Sequence, residues 1–173
     1  MSDHAKTNQE LVTEISALNQ RIKNLEQLEL KCQRLEATLM ATDEVIEKFL
    51  EYSTIYVFFK DENIRSLKLS KNYENMLGKP LTELLGKSMY ELFPSEFAER
   101  MVADDMRALK ENTVVTVEEE FGGRSYSTIK FPISINGKPN YLAGFTIDIT
   151  KRKQREGELQ RAVESLRKSF YAT

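Results

Sequence analysis

From Leu11 to Phe49, apolar or tolerated residues return every three or four positions with no proline or glycine among them. Only a long helix satisfies that spacing. The series is Leu11, Ile15, Leu18, Ile22, Leu25, then Leu28, Cys32, Leu35, Leu39, Thr42, Ile46 and Phe49. Ile15 and Ile22 take a positions and Leu18 and Leu25 take d positions, the arrangement that favours two parallel coiled-coil strands. Two consecutive steps of three meet at Leu25 and mark a stammer, a local overwinding of the supercoil. Arg21 at g faces Glu26 at e of a second copy, and beyond the stammer Lys31 faces Glu36. Such pairs contribute about 0.3 kcal/mol each, so they select orientation more than they stabilise. A second occupant of the stripe is the chain's own domain. At ~1.5 Å per residue, however, the helix is on the order of 60 Å long and cannot lie along a small domain over its whole length. Leu11, Ile15, Leu18, Ile22, Leu25, Leu28, Cys32, Leu35 and Leu39 are therefore the expected contacts of a parallel homodimer, with Cys32 acting as a small hydrophobe.

The centre of the chain changes period. Ile55 to Phe59 is aromatic and β-branched, Asp61-Glu62-Asn63 is turn chemistry, and Ile64 to Leu69 returns as a second strand. Ser70 reads as the N-cap of a short helix that Gly78 stops. Pro80 to Leu85 adds a helical turn ended by Gly86, and Pro94 opens a longer helix over Ser95 to Lys110. Phe97, Met101 and Leu109 form the expected buried stripe of that helix. Val114 to Phe121, Ser125 to Ile133 and Tyr141 to Ile149 are three strands joined at Gly122-Gly123 and Asn136-Gly137. The fold class is α+β, a five-stranded antiparallel sheet with short helices on one face, between a long N-terminal helix and a C-terminal helix. The expected divisions are a polar tail over 1–10, a coiled-coil helix over 11–52, a globular domain over 53–150 and a linker helix over 151–173.

Composition removes several function classes. A net charge of -2 gives no reason to expect nucleic acid or an anionic membrane surface. No apolar run reaches the length of a membrane span, and the start lacks the basic and apolar regions of a signal peptide. Cys32 is the one cysteine, so an internal disulfide is excluded, and a reducing, cytoplasmic setting is expected. The one histidine, His4, lies in the tail, so no nucleophile–base pair with histidine can be assembled. Metal sites built from His and Cys fall to the same count. Gly86-Lys87-Ser88 imitates the end of a phosphate-binding loop, but Leu81 stands where that loop needs glycine. Strand alternation sends Glu118 and Glu120 to one face and Glu119 to the other, which reads as a solvated strand rather than a site for a metal or a basic partner.

The order of these elements, with Met76-Leu77-Gly78-Lys79, Leu84-Leu85-Gly86-Lys87-Ser88, Glu91-Leu92-Phe93-Pro94, Lys130-Phe131-Pro132 and the closing Asp148-Ile149-Thr150, resembles a PAS domain of the sensory-box type. The resemblance runs roughly from Phe49 to Lys153. It implies a sensor and dimerisation module of a bacterial signalling protein, without catalysis, feeding a kinase or other effector domain. It also implies that Asp148, Ile149 and Thr150 couple the sheet to the output helix. A pocket would lie between sheet and helices, with Tyr90, Phe97, Met101, Phe131 and Phe145 as candidate lining or, equally, as plain core. The cofactor is open; haem and a cysteinyl-flavin adduct are disfavoured, because His4 and Cys32 both lie outside the domain. A scaffold with a filled interior is the second reading.

Elementary electrostatics supports attention to the joint. A helix N-terminus carries about half a positive charge, yet Lys151, Arg152, Lys153 and Arg155 crowd the first turns here. Asp148 and Thr150 are expected to offset this as the only nearby caps. Beyond it, Leu159, Val163, Leu166 and Phe170 resume helical spacing, as in a short helix that pairs with a copy of itself or continues into another domain.

Overall fold

The structure is a computed structural model and describes residues 7–135 and 137–171. His4, Asn136 and Thr173 lie outside the described residues. Two compact units divide between Glu47 and Lys48.

The first unit is helical. Helix α1 spans Asn8–Tyr52. It starts ahead of the apolar repeat because Thr7-Asn8-Gln9-Glu10 is a capping box. The Thr7 amide donates to Glu10 Oε2 at 2.8 Å and the Glu10 amide donates to Thr7 Oγ1 at 3.4 Å. Within this unit the apolar stripe is open: leucines and isoleucines from Leu11 to Leu39 expose between 42% and 70% of their surface. Cys32 is exposed as well. No helix among the described residues is long and apolar enough to cross a membrane.

The second unit holds strands β1 (Tyr56–Lys60) and β2 (Ser66–Leu69), then helices α2 (Tyr73–Leu77), α3 (Leu81–Leu84), α4 (Met89–Leu92) and α5 (Ser95–Glu111). Strands β3 (Val115–Phe121), β4 (Arg124–Ile135) and β5 (Lys138–Asp148) follow, and helix α6 (Thr150–Tyr171) closes the order. The sheet order is β2-β1-β5-β4-β3, antiparallel at every pairing. The last strand therefore lies at the centre, bonded to β1 on one side and β4 on the other. The expected fold class, five antiparallel strands with helices on one face and a helix at each end, is what the chain adopts.

Local chemistry explains the turns. The Asp61 carboxylate accepts the amides of Asn63 and Arg65, and Ile64 takes φ 60° with its side chain buried against the core. A β-branched residue in the left-handed region is strained, so the packing of Ile64 against Met89 and Ala98 holds the turn. Ser70 does not cap α2, whose N-cap is Asn72. Its fully buried hydroxyl instead accepts the Val57 amide at 2.7 Å and donates to Asn72 Oδ1 at 2.6 Å, fastening the start of β1. Helix α4 was absent from the sequence-based expectation. Ser88 and Glu91 make its capping box, and the Ser88 amide and neighbouring Lys87 hold the Glu91 carboxyl down to about 2. Helix α5 buries Ala98, Asp105 and Ala108, a stripe one step aside from Phe97 and Leu109. Phe58, Leu69, Tyr73, Leu84, Ala108, Val115 and Leu142 form the main core between sheet and helices.

Candidate functional site

Alternation along β1 turns Tyr56, Phe58 and Lys60 toward the helices, and alternation along β4 does the same for Tyr126, Thr128 and Lys130. Thr146 of β5 lies between them, its hydroxyl 2.8 Å from that of Thr128. With Met76, Met89, Phe97 and Met101 opposite, these residues other than Tyr56 enclose a cavity of about 40 Å³. At roughly 10–15 Å³ per water-sized position, that is room for about three. Phe93, Phe97 and Phe121 close one end with ring centroids 5.1 to 5.6 Å apart.

Part of the lining is charged. Lys60 and Lys130, 3% and 1% exposed, share the fully buried carboxylate of Asp105 on α5. Lys60 Nζ donates to Oδ2 at 2.5 Å and stands 4.9 Å from the Phe58 ring centroid. Lys130 Nζ lies 2.9 Å from Oδ1 in an ion pair without good hydrogen-bond geometry, and donates to the Met101 carbonyl at 3.3 Å. Burial pushes the Lys60 ammonium below its ordinary range, against the attraction of Asp105. Glu119 of β3 also lines the cavity, and burial raises its carboxyl above the usual range despite Lys130 nearby. The buried Tyr73 phenol is raised for the same reason. Ser66 Oγ, buried in the lining, has no hydrogen-bond partner among the described residues.

Of the residues singled out from sequence, Phe97 and Met101 line this cavity. Tyr90 is 53% exposed on α4 and lies elsewhere. Phe131 and Phe145 also lie elsewhere, because strand parity sends them to the opposite sheet face when Lys130 and Thr146 point inward. The solvated reading of Glu119 is corrected by its place in the lining. Lys60, Lys130 and Asp105 were missed, although each falls at an inward phase of its element. Among the described residues no cluster of three or more His, Cys, Asp or Glu is placed to hold a metal ion.

The end of β5 is tied down a short step away. Asp148 Oδ1 accepts the Thr150 amide at 2.9 Å, and Oδ2 accepts Arg124 Nη1 at 3.1 Å. The Thr150 bonds, then Arg124, hold the Asp148 carboxyl below its usual range. Thr150 Oγ1 accepts the Ser125 amide at 3.0 Å, and the Ile149 amide donates to the Ser125 carbonyl at 2.8 Å. Ile149 is buried. Asp148 and Thr150 are not alone in offsetting the basic first turns of α6. Glu118 of β3 meets Arg152 Nη2 at 2.8 Å and Lys153 Nζ at 2.7 Å, which lowers its carboxyl. So α6 is moored to β3 and β4 as well as to the strand it follows.

The profile of the PAS fold matches residues 50–154. No curated protein sequence matches the chain. Among solved structures, a domain of an HTR-like protein from Haloarcula marismortui shares 24% identity at a TM-score of 0.50, covering 57% of this chain and all of that one. A sensory box sensor histidine kinase structure from Vibrio cholerae shares 18% identity at 0.50, covering 66% of this chain and 98% of that one. VqmA bound to DPO, a protein of Vibrio cholerae, shares 18% at 0.53, covering 58% and 55%. These likenesses are of fold, and the profile spans well over half of the sequence. The chain belongs to the PAS-fold family.

Proposed function

We propose that the chain is a cytoplasmic sensory module: two copies join in parallel through α1, the cavity holds a small molecule, and the end of β5 relays its presence to α6 and an effector such as a kinase. One observation carries this reading. Cavity-lining residues sit next to the mooring of α6: Tyr126 is the strand partner of Asp148, and Thr146 stands four residues before Thr150. A ligand that shifts Tyr126 therefore acts one residue from the Ser125–Thr150 clip, and one that shifts Thr146 acts on the same strand four residues ahead of it. A joint with two arrangements, clipped and released, meets the requirement of a switch. That a neighbour of similar fold has been solved bound to DPO supports the ligand step by analogy of fold alone. The small cavity favours a second reading, a scaffold whose interior is filled by side chains.

Native mass spectrometry of protein purified from its host separates the two. A stoichiometric small molecule, accompanied by slower hydrogen exchange at Ser125 and Thr150, is the expected result. A clean apo mass with exchange at the clip indifferent to added metabolite pools favours the scaffold.

A further inference from the structure

We infer that the cavity takes a small carboxylate, held by Lys60 and Lys130 with Ser66 Oγ as a third donor and its short apolar tail against Met76, Met89 and Met101. The inference rests on the sensory reading above and adds the ligand's chemical class.

The charge balance points to an anion. Two buried ammoniums share one fully buried carboxylate, Asp105, so the trio carries a surplus positive charge. The fourth group, Glu119, lines the same cavity but is only half-buried, whereas both lysines are buried, so a carboxylate seated among them competes with Glu119 as their second counter-charge. A cation would face both lysines, and a neutral guest would supply no counter-charge.

Donor geometry agrees. An ammonium has three N–H groups. Lys60 directs one to Asp105 and its charge over the Phe58 ring; Lys130 directs one to the Met101 carbonyl and meets Asp105 as an ion pair without a hydrogen bond. Each therefore retains donor capacity toward the space it lines. Ser66 is 1% exposed, and its hydroxyl, in the same wall, has no hydrogen-bond partner among the described residues. Ionised carboxylates accept from such convergent donors through two oxygens. The remaining walls are thioether, aromatic and leucine, with the Thr128 and Thr146 hydroxyls bonded to each other, and methionine adjusts its shape readily. A three-carbon acid suits this volume and lining.

The competing explanation is purely structural: the ion-paired trio only pins α5 to β1 and β4. The full chain, labelled at its methionine methyl carbons, separates the two when titrated with propionate, propionamide and propylamine. Propionate is expected to shift the Met76, Met89 and Met101 methyl signals saturably, with propionamide at least about 10-fold weaker and propylamine without effect. Ser66→Ala should weaken propionate about 5-fold. Glu119→Gln should tighten it about 3-fold or more, because it removes the competing internal anion, while leaving propionamide unchanged. Both variants keep the Lys60–Asp105–Lys130 trio, so neither needs the fold to survive its loss. Equal binding of acid and amide, or weaker propionate binding by Glu119→Gln, overturns the carboxylate class and leaves the sensory reading standing. If none of the three probes moves the methyl signals, the carboxylate class falls. The sensory reading then falls with it only when the host-purified protein is also free of small molecules.

Discussion

Asp105 decides whether two buried lysines are tolerable. Removing it leaves two buried ammoniums, Lys60 and Lys130, with only the half-buried Glu119 as a negative group in the same lining. Asp105→Asn is therefore expected to lose about 3–5 kcal/mol in denaturant unfolding. Lys60→Met should also destabilise, though by less than Asp105→Asn, because Lys130 still balances the charge of Asp105 while Oδ2 loses its hydrogen bond from Lys60. Glu119 gives a prediction in pH. Its folded-state carboxyl titrates above the ordinary value of ~4.3, so burial of its neutral form contributes in full below that pH. The contribution is lost as pH rises through the raised value, since the unfolded chain releases the proton more readily. Thermal melts should then show Glu119→Gln matching the parent near pH 4 and exceeding it at pH 7. A constant offset at all pH values would contradict this assignment. These inward charges were hard to read from sequence for one physical reason. Strands β1 and β4 carry apolar residues on both faces, Val57 and Phe59 against Tyr56 and Phe58, Ile129 and Phe131 against Tyr126 and Thr128. Alternation alone leaves the parity free, and hydrophobicity points to Phe131 where the structure buries Lys130. Gly144 records the parity more clearly, since a Cβ there would collide with the Phe58 ring and the Ile129 carbonyl oxygen.

Among the elements, α6 shows how a helix with a basic first turn is made acceptable. Its macrodipole disfavours Arg152 and Lys153, and Glu118 supplies the missing negative charge from a strand far away in sequence. The long-range pairing was not legible, because it depends on β3 and β4 forming a hairpin that carries Glu118 to the start of α6. The Asp148–Thr150 contact was legible, being local. Loss of a side-chain cap costs about 0.5–2 kcal/mol. Thr150→Val is expected to remove that much from the joint and to raise amide exchange at Ser125 and the first turn of α6. Glu118→Gln should loosen the same turn by less, since its ion pairs are solvent-exposed and screened by salt. The two effects should be close to additive if the moorings are independent, and less than additive if they hold one two-state joint. The short helices show a similar division. Helix α5 announced itself through Pro94 and its length. Helix α4 was signalled only by Ser88 and Glu91, a capping box too short to carry hydrophobic periodicity.

For the whole molecule, the unresolved energetic account is α1. A helix of this length with its apolar stripe open to water gains little from packing, and helical propensity alone gives marginal stability. Burying a Leu or Ile side chain fully is worth about 1.5–3 kcal/mol, so covering the stripe would outweigh the ordering cost by a wide margin. A second copy offers a surface that matches in both chemistry and period. The a and d assignment, Ile15 and Ile22 against Leu18 and Leu25, and the Arg21–Glu26 pairing favour parallel alignment. Sedimentation at micromolar concentration is therefore expected to show a dimer. Leu18→Asn with Leu25→Asn places two polar groups in adjacent d layers and should raise the dissociation constant at least about 100-fold. The same double variant should lower the helical signal of the chain as dilution proceeds, while the cavity signals of Met76, Met89 and Met101 stay in place. If the parent chain sediments as a monomer and the double variant changes neither mass nor helicity, α1 is not a pairing element. The scheme in which two copies align their α6 helices for a shared effector then loses its mechanical basis.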